Sequence, residues 1–162
     1  MNQKIITFIL FGGTGDLAKR KLVPAFAKLI EKGIIAKEST IVGIGRKDFT
    51  DAAYKQYLLD ALPDAEKLRV QNVQLRFFQA DVTKPGSLQG LASFLHTFEP
   101  KDGTTHIYYL ATSYTFFPMI VNELKATGLA QQQKQSTRIV FEKPFGSDLS
   151  SSDAIDKKSM LF

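Results

Sequence analysis

The sequence predicts a doubly wound α/β domain, with a mostly parallel sheet and helices on both faces. Three observations carry this expectation. Short apolar runs alternate with helical patterns five times along the 162 residues. The first run, Ile5–Phe11, shows no polar alternation, as suits a parallel strand buried on both faces. That run passes directly into a glycine-rich turn, GGTG at 12–15, and the turn into a helical pattern.

The elements follow in order. Strand one is expected over Lys4–Phe11. Its helix places Leu22, Ala25, Phe26, Leu29 and Ile30 at i, i+3, i+4, i+7, i+8 spacing and ends at Gly33. Pro24 is tolerated only in a first turn, so the regular helix should begin near Leu22, after a looser turn. Strand two covers Thr40–Gly45, and a polar helix covers Asp51–Leu62. Pro63 to Asn72 reads as a loop or short helical connector. Strand three covers Gln74–Ala80, followed by a helix carrying Leu88, Leu91, Ala92, Leu95 and Phe98. Strand four covers Thr105–Ala111, and its helix carries Phe117, Ile120, Val121 and Leu124. Strand five covers Arg138–Glu142, and Ser150-x-x-Asp153 opens a last helix like a capping box. Right-handed crossovers bring every strand's C-terminal end to one edge, where ligands bind. Those ends are Gly12–Gly15, Gly45–Lys47, Ala80–Val82, Ala111–Tyr114 and Lys143–Gly146.

Composition narrows the function classes. The chain is 44% hydrophobic and 23% charged, as an ordered globular domain requires. It has no cysteine, which removes disulfides, thiolate metal sites and thiol nucleophiles. No signal-peptide pattern or bilayer-length apolar stretch is present, so a cytoplasmic protein without a membrane is expected. The net charge of +5 comes from scattered residues without a recognition-helix, zinc-finger or RNA-binding signature, so nucleic acid is not an expected partner.

The candidate site lies at the strand ends. Gly13, Gly15 and Ala18 fit G-x-G-x-x-G/A, placed after a strand and before a helix, where a turn without Cβ atoms and a helix N-terminus cradle a phosphate. Arg46 and Lys47 follow strand two, where an NAD site carries an acid for the ribose hydroxyl. A guanidinium fork there suits the 2′-phosphate of NADP. Asp48 reads as a turn or cap residue. Lys19, Arg20 and Lys21 crowd the helix start, unfavourable against the dipole unless an anion binds, and one of the three is expected to point inward. In EKPFG at 142–146, Pro144 holds Lys143 extended at the ligand edge, with Glu142 as a partner. His96 and His106 fall away from that edge and read as structural or solvent-facing, and neither a metal cluster nor a Ser-His-Asp arrangement is evident.

GGTGDLAKRKL, GIGR, YYLA and EKPFG occur in one order at similar spacing. Together they closely resemble the N-terminal, coenzyme-binding half of glucose-6-phosphate dehydrogenase. The resemblance implies a Rossmann-like domain over residues 1–162 that binds NADP and stops within its last helix. It places a C-terminal substrate and dimerisation domain beyond it. It also implies roles by motif. Gly12, Gly13, Gly15, Asp16 and Leu17 form the dinucleotide turn, and Thr14 and Arg46 meet the 2′-phosphate. Lys21 and Lys143 sit where nicotinamide and sugar phosphate meet, with both counted as substrate-binding, and Lys143 and Pro144 also set coenzyme geometry. Glucose 6-phosphate is the implied substrate and a homo-oligomer the implied assembly.

The sequence departs from the family at 112–117, TSYTFF, where a proline-bearing segment is usual. The family's RIDHYLGK motif and catalytic histidine have no counterpart in residues 1–162. The chain alone is therefore expected to be inactive and prone to self-association. Two other classes share part of this pattern. One is a non-catalytic NADP-binding module or sensor. The other is a short-chain dehydrogenase, which needs Tyr-x-x-x-Lys; none of Tyr54, Tyr57, Tyr108, Tyr109 or Tyr114 has lysine four residues on.

Overall fold

The computed structural model describes residues 3–131 and 136–142. Five parallel strands lie in the order β3-β2-β1-β4-β5. They are β1 (Ile5–Phe11), β2 (Thr40–Gly45), β3 (Gln74–Gln79), β4 (Thr104–Leu110) and β5 (Thr137–Phe141). The central strand β1 pairs with β2 from Thr7↔Thr40 and with β4 from Ile5↔Thr104. Its inner residues are buried on both faces, as the unbroken apolar run requires. Lys143–Gly146 and the helix expected near Ser150 lie outside the described residues.

Helices α1 (Val23–Glu31), α2 (Asp51–Asp60) and α3 (Asp64–Gln71) cover one face. There Phe8 and Leu10 meet Phe26, Tyr54, Leu58 and Val70. Helices α4 (Leu91–His96) and α5 (Phe117–Ala126) cover the other. There Ile9, Phe11, Val42 and Ile44 meet Leu91, Leu95, Phe117 and Ile120. Each fully buried large side chain contributes about 1.5–3 kcal/mol against exposure. The sheet is thus a middle layer with two cores, and right-handed crossovers explain the change of side at β1 and β4.

Two expectations need correction. The core-facing residues around α1 are Val23, Phe26 and Ala27, with Leu22 and Ile30 partly buried against the same core as expected, whereas the expected Ala25 and Leu29 face outward; Leu29 is 39% exposed. Apolar residues occupy both phases, and stacking of Phe26 on Phe8 (5.3 Å between centroids) selects one. The helix after β3 is regular only over Leu91–His96, because Gly86 at φ +79° turns the chain and the Glu123 carboxylate takes the N–H groups of Gly86 and Leu88. Leu88 is buried nonetheless. The looser turn before α1 is a π-helical turn over Ala18–Leu22, closed by the Val23 N–H donating to Ala18 O. Pro24 has no N–H to give to the carbonyl four residues back, so the widened turn relieves the helix at that point.

Candidate functional site

The glycine turn sits where β1 and β4 part company, the crevice at which helices leave to opposite faces. Gly12 and Gly13 both donate to Ile44 O (3.2 and 3.1 Å), and Gly15 donates to Gly12 O (2.9 Å). Gly12 has φ +78°, and a Cβ there would lie 2.6 Å from Ala111 O. A Cβ on Gly13 would lie 2.7 Å from the Gly43 Cα and 2.9 Å from the Tyr54 hydroxyl. No side chain fits at either position. Ala18 is fully buried, so the following helical turn lies close on the sheet. The alanine of the G-x-G-x-x-A pattern therefore serves helix–sheet packing.

A cleft of about 320 Å³ opens along this edge. Gly12, Thr14, Gly15, Arg46, Asp81 and Ser113 are among its lining residues. Arg46 leaves β2 exposed, its backbone oxygen held by the Gln79 side-chain amide (3.0 Å). Its guanidinium has no hydrogen bond among the described residues. Asp81, at the end of β3, accepts from the Thr83 hydroxyl (2.6 Å) and amide (3.1 Å). Those bonds, with Lys84 and Arg46 nearby, hold its carboxyl below the usual value. The family departure at 112–117 becomes the far wall, where Ser113 caps a short 3₁₀ turn over Tyr114–Phe116 that leads into α5.

The three basic residues separate. Arg20 pairs with Asp16 at 2.8 Å, both exposed. Lys19 places its ammonium 4.9 Å from the centre of the Tyr57 ring. Lys21 is exposed and outside the cleft lining. Leu17 is 37% exposed beside the turn. Lys143 and Pro144 lie outside the described residues. Their neighbour Glu142 accepts a hydrogen bond from the Tyr109 hydroxyl. Burial and that carboxylate push the Tyr109 hydroxyl up to about 12.

His106 occupies the opposite edge of the sheet, as expected, with Nε2 donating to both Glu99 oxygens (2.9 and 3.0 Å). Among the described residues no group of His, Asp and Glu could hold a metal ion, and no helix is long and apolar enough to cross a membrane. Sequence reasoning missed Tyr54 and Tyr57, whose hydroxyls reach the turn from α2 at 2.7 Å (Gly13 O) and 2.6 Å (Thr14 O). Both contacts span more than forty positions, so no local signal announces them.

An all-parallel sheet with this order, a Cβ-free turn at its switch point and, after β2, a cation unpaired among the described residues define a dinucleotide-binding α/β domain. Residues 9–160 match the family described as glucose-6-phosphate dehydrogenase, NAD binding domain, and the chain belongs to that family. It is 35% identical over 160 residues to glucose-6-phosphate 1-dehydrogenase of Bacillus subtilis, covering 96% of this chain and 32% of that protein. Among solved structures, it superposes on glucose-6-phosphate 1-dehydrogenase from Mycobacterium avium with a TM-score of 0.74 at 26% identity, covering 99% of this chain and 34% of that one. A glucose-6-phosphate dehydrogenase in complex with glucose-6-phosphate shares the fold, with a TM-score of 0.81 at 22% identity, over 100% of this chain and 36% of that one. The chain spans about a third of the length of the curated relatives it matches.

Proposed function

We propose that this domain binds NADP in preference to NAD, for a dehydrogenase that oxidises glucose 6-phosphate. The observation that carries the preference is Arg46: a guanidinium without a hydrogen bond or ion pair among the described residues, at the strand end where an NAD site carries an acid, opening on the same cleft as Gly12, Thr14 and Gly15. The pyrophosphate lies on the N–H groups that open the helix at Asp16 and Leu17. The nicotinamide extends towards Ala111–Ser113 at the end of β4. NADP, when bound, supplies the hydride acceptor.

Lys21, Lys143 and Pro144 complete the reading by resemblance, as the residues facing sugar phosphate and nicotinamide. The reaction also needs a base for the sugar C1 hydroxyl, and no residue in 1–162 matches the family's catalytic histidine. The chain alone therefore binds coenzyme without turning over. Homo-oligomeric assembly and a cytoplasmic location belong to the same proposal.

Calorimetry with the two coenzymes tests it. NADP binds more tightly than NAD, and Arg46→Ala costs about 1–3 kcal/mol of NADP affinity while sparing NAD. Equal affinities in the unsubstituted chain would refute the preference.

A further inference from the structure

Thr14 is flanked by two peptide planes, and each is fixed from outside the turn. The Tyr54 hydroxyl donates to Gly13 O at 2.7 Å, and the Tyr57 hydroxyl to Thr14 O at 2.6 Å. The two tyrosines are one helical turn apart on α2, so a single helix face delivers both bonds. In a trans peptide the N–H points opposite to the carbonyl. Drawing Gly13 O towards α2 therefore turns the Thr14 N–H away from it. Among the described residues neither that N–H nor the Thr14 hydroxyl has a partner. The Thr14 side chain stands beside Gly45, next to Arg46.

The same helix gathers charge. The Tyr57 ring lies 4.9 Å from the Lys19 ammonium and 4.7 Å from that of Lys47, and Phe49 lies 5.7 Å from Lys47. Neither lysine has a carboxylate within ion-pair distance among the described residues. Two like charges on one aromatic ring repel each other, and the ring quadrupole only partly offsets that. An anion between these groups and Arg46 would relieve it.

We propose that Tyr54 and Tyr57 are positioning residues of a phosphomonoester seat, and that they set the preference for a coenzyme phosphorylated on its adenosine ribose. The Tyr54 hydroxyl orients the Thr14 N–H, the Tyr57 hydroxyl fixes the Thr14–Gly15 peptide plane on its other side, and the Tyr57 ring holds Lys19 and Lys47 at the seat. The inference rests on the NADP reading of the cleft. Neither tyrosine touches the ligand; both act through Thr14 and the two lysines.

The test measures dissociation constants for NADPH and NADH with the full chain and with Tyr54→Phe, Tyr57→Phe and Tyr57→Leu. Tyr54→Phe and Tyr57→Phe each weaken NADPH about tenfold, as for one lost hydrogen-bonded arrangement, and leave NADH within about twofold. Tyr57→Leu, which also removes the ring under both ammonium groups, weakens NADPH further. Loss of affinity for both coenzymes in equal measure means general loosening and overturns the inference. Unchanged affinity for both also overturns it. If Tyr54→Phe does not fold, the half-buried Tyr57 carries the comparison through its two variants. Failure of the underlying reading looks different: the unsubstituted chain then shows no preference for NADPH at all.

Discussion

The two edges of the sheet handle polar groups in opposite ways. At the N-terminal edge of β4, His106 and Glu99 are buried together and use each other up, with the carboxylate taking Nε2 in both oxygens. At the C-terminal edge the Thr14 N–H, the Arg46 guanidinium and the ammonium groups of Lys19 and Lys47 make no hydrogen bond or ion pair among the described residues. Size misleads here. The cavity beside His106 is the larger, about 490 Å³ against about 320 Å³. Beside it His106 and Glu99 satisfy each other, whereas the smaller cleft presents the Thr14 N–H and the Arg46 guanidinium without a protein hydrogen bond among the described residues. Unmet bonding capacity, more than volume, marks the functional edge.

If that contrast holds, removing His106 should damage the fold and not the ligand site. His106→Ala leaves the Glu99 carboxylate buried without a partner and costs about 3 kcal/mol or more of unfolding free energy. Urea unfolding measures it, and coenzyme affinity under folding conditions should be unchanged. A variant of full stability would show that the N-terminal edge is as open to solvent chemistry as the other.

Alkali probes a second internal pair. Tyr109, tied to Glu142, ionises at about 12 in the folded chain against 10.0 for a free tyrosine. A raised folded value means that the stability is fully present below pH 10.0 and is lost as the pH rises through about 12. Ultraviolet titration should show Tyr109 ionising late, and Tyr54 and Tyr108, held higher by burial, only on unfolding. A tyrosinate signal for all three near the ordinary value, with the fold intact, would contradict this.

Acid gives the smallest effect. Asp81 is partly exposed, and its lowered carboxyl supports the Thr83 turn at the cleft edge. That support is present above 3.8 and fades as pH falls through the lower folded value. Asp81→Asn should shift the neutral-pH melting temperature slightly and the acid one not at all. Equal shifts at both pH values would detach the turn from the charge.

Most of the fold is legible because it depends on local pattern. The β2 run Thr40–Gly45 is buried almost throughout, and its apolar stretch sets its limits. The glycine turn is legible for the same reason, since backbone conformation and crowding leave glycine alone at Gly12 and Gly13. What escapes the sequence is phase and distance. In α1 the apolar residues fit either of two stripes, and contact with Phe8 decides between them. In α2 the polar surface hides Tyr54, fully buried and bonded across the sheet top to Gly13. The pairing partners of Lys19 and Arg20 depend likewise on Tyr57 and on the wide turn before Pro24.

The register of β1 has a consequence for how the chain is made. Its partner on one side, Thr40 onward, leaves the ribosome soon after it, but its partner on the other begins only at Thr104. Until β4 is synthesised, the most apolar strand of the molecule is an unprotected edge, open to pairing with another nascent chain. Closing that long-range contact is a slow step in any order of folding, since loop entropy must be overcome before the pairing rewards it. The strand that positions the glycine turn is therefore also the one whose second partner is made longest after it, about a hundred residues later.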